Sequence, residues 1–433
     1  MEWQVIIVLF GSFFLFLGIG VPISFAIGVA SLLTILLQLP FDAAIAVISQ
    51  KMASGLDSFA LLAIPFFILA GNIMNQGGIA IRLIEFAKVL GGRLPGSLAH
   101  VNVIANMMFG AISGSAVASA AAVGGTMSPL QKKEGYDPAF SAAVNITSCP
   151  TGLLIPPSNT FIVYSLISGG TSIGALFLAG YIPGMIMGLS LMLVAGFIAK
   201  KRGYPVSAKP STSEVVKRTL DALPSLGLII VIMGGIIAGI FTATEASAIA
   251  VVYTLILAFV FYREISIKQL PSIILESVVT TSIVLLLIGA SMGMSWAMAN
   301  ADIPYMISDA LLAVSENPII ILLIINVILL IIGVFMDMTP ALLIFTPIFL
   351  PIAMDLGMDP VHFGIMMTFN LCIGICTPPV GSALFIGCSV AKVRIDKVVK
   401  PLLPFYAVLI IALMLVTFIP QLSLTLPQVF LGY

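Results

Sequence analysis

Charge is scarce in this sequence. Charged residues make up 8% of the 433 residues, hydrophobic residues make up 60%, and mean hydropathy is +1.20. A soluble globular protein of this length could not cover its surface with so few charges. The formal net charge is zero, which gives no indication of a nucleic-acid partner. The composition therefore predicts a polytopic membrane protein whose solvent is the lipid bilayer.

Residues of metal and nucleophile chemistry are also few, with four cysteines and two histidines. The cysteines all lie in apolar segments, where thiols usually pack as small hydrophobic side chains. No H-E-x-x-H, G-x-S-x-G or Walker-type glycine motif occurs. The sequence therefore predicts neither an enzyme nor a nucleotide-driven pump. The N-terminus lacks a signal-peptide pattern, so we expect it to be retained as a first helix.

Two double-proline motifs recur 222 residues apart, in the segments Gly152–Thr160 and Gly374–Ser382. The glycines at 152 and 374 and the proline pairs at 156–157 and 378–379 share this spacing. Two adjacent prolines remove two N–H donors and leave carbonyls without helical partners. In a membrane such a break is tolerated only where it is buried in protein or lines a wet cavity. Matched breaks in two halves of a chain are typical of a transporter's binding site.

The predicted fold is an all-α polytopic membrane protein built from two repeats with about five crossings each. The first repeat, 1–199, comprises scaffold helices 1–78, a re-entrant hairpin 95–131 and a broken helix 139–166. A polar linker, 200–218, separates it from the second repeat, 219–433, with scaffold helices 223–299, hairpin 317–354 and broken helix 360–389.

Loop charges predict that the two repeats are inverted relative to each other. Residues 167–176, after the first broken helix, carry no charge, whereas Lys392, Arg394, Lys397 and Lys400 follow the second. Basic loops stay on the cytoplasmic side. The two broken helices therefore run in opposite directions, with the linker in the cytoplasm and the N-terminus outside.

Each hairpin tip is expected to face the broken helix of its own repeat. Free carbonyls, hydroxyls and helix ends would meet there, and such groups suit sodium. The first predicted sodium site comprises Ser113, Gly114, Ser115, Gly152, Pro156, Pro157 and Ser158. The second comprises Asp337, Met338, Thr339, Gly374, Thr377, Pro378 and Gly381.

Both tips also have structural interpretations. Ser113-Gly114-Ser115, one turn after Gly110, is compatible with close helix packing through small residues. Asp337 is a carboxylate predicted at membrane depth, which indicates function, but a helix cap before Pro340 explains it equally well.

The expected substrate is an anion, held by helix N-termini and hydroxyls. Ser158-Asn159-Thr160 begins a half-helix whose free N–H groups could hold a carboxylate, and Ser382 is its weaker equivalent. The predicted substrate-binding residues are Ser115, Ser158, Asn159, Thr160 and Ser382. No Arg or Lys lies in the predicted core.

At family level the sequence resembles the large membrane subunit of tripartite ATP-independent periplasmic (TRAP) transporters. The resemblance covers essentially the whole chain. It rests on the run Gly110–Ser128, Gly135-Tyr136-Asp137-Pro138, the break Leu154–Asn159, and Phe241-Thr242-x-Thr244-Glu245-Ala246.

The resemblance implies a sodium-coupled elevator transporter in the inner membrane of a Gram-negative bacterium. It implies two partners, a small four-helix membrane subunit and a periplasmic substrate-binding protein. Because the chain starts directly at the large subunit, we expect the small subunit to be separate. The residues of the motifs at Ser113–Ser115 and Pro156–Thr160 are most similar to those of sialic acid members. This resemblance favours N-acetylneuraminate over C4-dicarboxylates or other organic acids. Alternatives from other classes are a stand-alone sodium/dicarboxylate symporter, a channel, and an intramembrane protease using Ser115 with His100.

Overall fold

The computed structural model describes residues 2–92, 94–206 and 210–433, and these residues form helices and no strands. The all-α prediction is confirmed. The helices before the linker are α1 (Glu2–Gly18), α2 (Ile23–Leu36), α3 (Phe41–Leu56), α4 (Ala63–Gln76), α5 (Ile79–Gly91), α6 (Ser97–Ser113), α7 (Ala116–Lys133), α8 (Pro138–Ser148), α9 (Thr151–Leu154), α10 (Asn159–Ile167) and α11 (Ile173–Arg202).

The second half contains ten further α-helices. They are α12 (Thr212–Ile237), α13 (Ala243–Ile256), α14 (Leu270–Asn300), α15 (Ile303–Val314), α16 (Pro318–Phe335), α17 (Met338–Asp355), α18 (Pro360–Gly374), α19 (Ser382–Ala391), α20 (Ile395–Phe418) and α21 (Gln421–Leu431). A π-helical segment, Leu257–Phe261, extends α13.

The 222-residue spacing of the sequence also relates helix boundaries. Helices α7 and α17 each have 18 residues and begin 222 positions apart, as do the starts of α8 and α18 and of α11 and α20. Asp137 and Asp359 cap α8 and α18 in the same way, each carboxylate accepting a backbone N–H two residues on. A proline follows each aspartate at the first helical position, where its missing N–H costs nothing. Identical local chemistry therefore starts both broken helices.

Each hairpin's first arm touches the broken helix through a pair of glycines. A Cβ atom added at Gly152 would lie 2.1 Å from the carbonyl carbon of Gly110. One added at Gly374 would lie 2.5 Å from the Cα of Gly333. Side chains at these positions would force the backbones apart, so glycine is needed for the contact.

The half-helix that follows each break packs against the second hairpin arm of the other half. Helix α10 of the first half packs against α17 of the second, and α19 of the second half packs against α7 of the first. Thr160 Oγ1 and Met338 Sδ lie 3.4 Å apart at the first contact. At the second, a Cβ atom added at Gly124 of α7 would lie 3.2 Å from a side-chain carbon of Val390 in α19. The hairpins and broken helices thus form one interlocked body.

Eight helices in the described part of the chain are long and apolar enough to cross a membrane. They include the longest helices, α14 with 31 residues and α11 with 30, and both arms of the second hairpin. Shorter apolar helices such as α6 and α18 accompany them. The orientation of the two halves and the number of about ten crossings stay predictions.

The segment between the halves is shorter than the predicted linker of 200–218. Helix α11 continues through Arg202 and ends at Gly203, which adopts a left-handed conformation, while Ser211 and Glu214 form a capping box that starts α12. Residues 207–209 of the predicted linker lie outside the described residues. Lysine and arginine are good helix formers, so α11 continues into the polar stretch instead of giving way to an irregular linker.

We expect Gly152→Ala to destabilise the protein. The added methyl group would clash with the Gly110 backbone, far inside van der Waals contact, and such overpacking costs about 1–3 kcal/mol. Thermal unfolding of the purified protein in detergent would measure the loss. Gly125→Ala is the matched control because nothing lies within 4 Å of its added Cβ and alanine favours a helix. Equal melting temperatures for the two variants would contradict the proposed role of the glycine contact.

Candidate functional site

The first broken helix is interrupted at Ile155–Ser158, between α9 and α10. The Pro156–Pro157 peptide bond is cis, and both prolines are buried. Within the described residues no hydrogen bond reaches the carbonyl of either proline. Buried carbonyls without partners are uncommon in proteins. This break therefore offers oxygen ligands inside the protein.

Two side chains beside the break are also unpaired. Ser158 precedes α10 and is fully buried, yet its hydroxyl caps no N–H and has no hydrogen-bond partner in the described part of the chain. The Oδ1 atom of Asn159 is likewise buried without a partner. Leaving such groups unpaired costs about 1–3 kcal/mol each, so their arrangement suits a bound ligand.

The tip of the first hairpin lies over this break. Gly114 adopts a left-handed conformation with φ of 62°, and a Cβ atom added there would lie 3.1 Å from Nδ2 of Asn159. Ser115 caps α7, with its hydroxyl accepting the N–H of Ala118 at 3.2 Å. The hydroxyl of Ser113 faces the carbonyl of Ser115 at 3.5 Å. The Ser115 carbonyl also accepts the N–H of Ser119, so the turn chemistry explains this residue locally. Within the described residues the carbonyls of Ser113 and Gly114 accept no hydrogen bond from the backbone, and they remain available beside Asn159.

The second tip is joined to the second break by a direct hydrogen bond. Ser382 donates from Oγ to Oδ1 of Asp337 at 3.0 Å. Asp337 precedes α17, but its carboxylate accepts no backbone N–H of that helix. Side-chain capping therefore does not explain this carboxylate, although its own carbonyl accepts the N–H of Ala341. Its side chain is exposed rather than buried.

The second break, between Gly374 and Ser382, is folded tightly on its own backbone. Thr377 donates its N–H to Gly374 and accepts from Gly381, while the carbonyl of Cys376 accepts the hydroxyl of Tyr406 at 2.6 Å. The Pro378–Pro379 bond is cis, and within the described residues neither proline carbonyl accepts a hydrogen bond. Free carbonyls are thus common to both breaks.

The two breaks differ in their access to solvent. All residues from Thr151 to Ser158 are buried, whereas Pro379 and Val380 are exposed. The first tip is backed by α4, where a Cβ atom added at Gly71 would lie 3.0 Å from the carbonyl oxygen of Ser113. The second tip is joined to its break by the Asp337–Ser382 hydrogen bond. Only the second break is open at the surface in this conformation.

The structure brings three pairs of the predicted site residues into direct contact. Gly114 meets Asn159, Asp337 meets Ser382, and Thr160 meets Met338. Gly152 and Gly374 instead form the helix contacts with Gly110 and Gly333. Thr339 follows the second tip on α17, and its side chain forms no hydrogen bond with the described residues.

A buried asparagine cluster behind the first tip was missed by the sequence analysis. Asn106 on α6 donates to Asn102, Asn145 and Ser148 at 2.8, 3.1 and 2.7 Å and accepts from Ser119 at 2.7 Å. This network ties both arms of the hairpin to α8. Asparagines within apolar helices are costly unless paired, and that feature could have identified the cluster.

The described residues contain no group of three or more His, Cys, Asp or Glu that could hold a transition metal. The four cysteines are buried free thiols, and Cys376 Sγ lies 3.0 Å from the carbonyl oxygen of Ile146. Ser115 follows the end of α6, while His100 lies in its first turn, so about 20 Å of helix separates them. That distance excludes the serine–histidine pair of the protease alternative.

Comparison with known proteins gives a family match over nearly the whole chain. Residues 10–422 match the model of the tripartite ATP-independent periplasmic transporter, DctM component. A protein of Salmonella typhimurium named uncharacterized protein YgiK is 65% identical, with 98% of each chain covered.

Relatives with named substrates are more distant. The sialic acid TRAP transporter large permease protein SiaM of Vibrio cholerae is 40% identical over 98% of this chain and 99% of its own. The C4-dicarboxylate TRAP transporter large permease protein DctM of Pseudomonas aeruginosa is 39% identical, with 93% and 94% covered. The crystal structure of the YdaH transporter of Alcanivorax borkumensis matches with a TM-score of 0.63 at 12% identity, covering 87% of this chain and 88% of that one. That likeness concerns the fold alone.

Proposed function

Because this chain belongs to the DctM component family of tripartite ATP-independent periplasmic transporters, we propose that it imports an organic acid driven by the sodium gradient. The family confirms the resemblance drawn from the motifs, and its named relatives are permeases rather than enzymes. The chain is a multi-pass inner-membrane protein with eight helices of spanning length in its described part.

The proposed coupling ion is sodium, bound at the two Pro-Pro breaks. The observation that carries this proposal is the set of buried oxygens at Pro156, Pro157 and Ser158, namely the two proline carbonyls and the serine hydroxyl, to which none of the described residues donates a hydrogen bond. Carbonyl and hydroxyl oxygens suit a hard cation, and the negative ends of the broken helices add favourable potential. At the second break the Asp337 carboxylate, which is hydrogen-bonded to Ser382, would contribute negative charge.

The anionic substrate is proposed to bind between the breaks, at the starts of α10 and α19. Within the described residues neither helix start has a side-chain cap. The N–H groups of Asn159 and Thr160 at α10, and that of Ser382 at α19, therefore remain available to a carboxylate. The N–H of Ala383 instead donates to the carbonyl of Ile375. Thr160 lies against Met338 of the opposite half, which brings the start of α10 to the second tip. Ser115 and Ser382 would add hydroxyl contacts near the two tips.

N-acetylneuraminate is the proposed substrate. Its support is the 40% identity to the sialic acid permease over the full length of both chains. The second candidate is a C4-dicarboxylate, supported by the 39% identity to a permease named for that class. A small four-helix membrane subunit and a periplasmic binding protein would complete the tripartite assembly, with the binding protein delivering the substrate.

The proposed mechanism is an elevator in which the interlocked hairpins and broken helices move as one body. Exchange of α10 and α19 between the halves supports this, because neither half could move without the other. Helices α4 and α14 contact the body from outside and would belong to the stationary scaffold. Sodium binding would order the tips before movement, which links the ion to the substrate.

The direct test of the proposed function is uptake of radiolabelled sialic acid into proteoliposomes that contain this chain and its small partner. We expect uptake only with both an inward sodium gradient and the binding protein. Uptake that needs sodium but no binding protein would instead indicate a stand-alone symporter. If sialic acid is not taken up but succinate is, under the same two requirements, the substrate proposal is wrong and the transport proposal holds.

Sodium binding at the second break can be tested without transport. The native cysteines are buried and Val380 is 46% exposed, so Val380→Cys introduces an accessible thiol beside the break. We expect sodium, compared with potassium, to slow maleimide labelling of this thiol severalfold, because the ordered tip would cover it.

Two control variants give this experiment its specificity. Adding Asp337→Asn should remove the sodium effect, while Lys217→Cys, remote from both breaks, should label equally in both salts. Protection that survives Asp337→Asn, or equal labelling of Val380→Cys in sodium and potassium, would contradict the second sodium site.

A further inference from the structure

A basic cleft lies where two long apolar helices reach the edge of the membrane. The last turn of α11 contributes Lys201 and Arg202, and the beginning of α20 contributes Lys397 and Lys400. Helices α11 and α20 pack against each other, and α8 fills the space beside them. The cleft has a volume of about 840 Å³.

The floor of the cleft is apolar while its rim is cationic. Phe140, Ile198, Val393 and Pro404 line it together with the four cationic residues and a single carboxylate, Asp137, so the formal charge of the lining is +3. Basic residues at the ends of spanning helices are expected from topology alone. Topology does not, however, explain why these basic residues surround a cleft with an apolar floor.

One wall is fixed by interactions of Arg202. Its guanidinium donates to Asp137 at 2.8 Å and lies over the ring of Phe140, 5.5 Å from the centroid. Tyr204 accepts from both Arg202 and the N–H of Asp137, and it stacks on Tyr136 with ring centroids 4.3 Å apart. The Asp137 charge is therefore already neutralised within the wall.

The three lysines have no such partner. Among the described residues, Lys201, Lys397 and Lys400 form no ion pair, and all three are exposed. Asp396, the nearest acidic neighbour in sequence, pairs with Arg394 instead. Three unpaired cations around an apolar floor match a molecule with an anionic head and hydrocarbon chains.

We propose that this cleft binds an anionic phospholipid, with the phosphate held by Lys201, Lys397 and Lys400 and the acyl chains lying along α11 and α20. Basic pockets between helices at a membrane surface bind anionic lipid headgroups, and each nearby Lys adds to the attraction. Because Phe140 and Asp137 belong to the start of α8, the lipid would contact the helix that leads to the first break. This lipid site does not depend on sodium or on the identity of the substrate.

Native mass spectrometry of the full chain in detergent, with added phosphatidylglycerol or phosphatidylcholine, tests the proposal. We expect the protein to retain phosphatidylglycerol in preference to phosphatidylcholine. The triple variant Lys201→Gln, Lys397→Gln, Lys400→Gln should bind phosphatidylglycerol roughly a hundredfold more weakly.

The matched control removes three other exposed lysines, in the variant Lys132→Gln, Lys133→Gln, Lys268→Gln. It should retain the lipid as the unmodified protein does, and both triple variants should keep the same melting temperature. Equal loss in the two triple variants, or equal binding of the two lipids, would overturn the proposal. Displacement of phosphatidylglycerol by the small membrane subunit would assign the cleft to that partner and overturn it as well.

Discussion

Unpaired backbone carbonyls at two proline pairs are the constraint on which this structure depends. A helix that crosses a membrane satisfies its own backbone, whereas a Pro-Pro break leaves oxygens that neither lipid nor helix can pair. The structure places a hairpin tip against each break. The first break carries the unpaired oxygens of Ser158 and Asn159, and the second is joined to its tip by the Asp337–Ser382 hydrogen bond. The glycine pairs, the exchanged half-helices and the asparagine cluster all serve to hold the tips and breaks in that position.

The two halves share the arrangement of a hairpin tip over a broken helix, but the two breaks differ in how far they are buried. At the first break, Ser158 is buried without a partner and the tip is backed by α4. At the second, Asp337 and Ser382 are joined by a single hydrogen bond at a surface that remains exposed. Under the proposed elevator mechanism, this difference would follow from the contact of the moving body with the scaffold.

Much of this arrangement could be predicted from local chemistry. Two adjacent prolines cannot continue a helix, and an Asp-Pro pair starts one, so the breaks and the starts of α8 and α18 follow from the sequence. The amphipathic helices α5 and α15 and the proline-containing α21 escaped prediction because they are too short to give a spanning pattern.

The tips were expected to face the breaks, but the specific residue partners in contacts distant in sequence could not be predicted. The exchange of α10 and α19 depends on packing between halves, and the partner of Asp337 proved to be Ser382 rather than its own helix. The 222-residue spacing would place the counterpart of Gly110 at position 332, but the glycine that forms the contact is Gly333. The asparagine cluster of the first half has no counterpart with the same members in the second half. Such contacts are decided by three-dimensional packing, in which a shift of one residue is tolerated.

The most direct test of the central claim is cryo-electron microscopy of the chain with its small subunit, recorded once in sodium and once in potassium. Our account predicts density for an ion in sodium at both breaks, within about 2.5 Å of several oxygens, a distance typical of hard cations. In potassium that density should be absent and the second tip less ordered. Breaks that contain no ion in sodium, with the proline carbonyls paired to protein or water, would contradict the account.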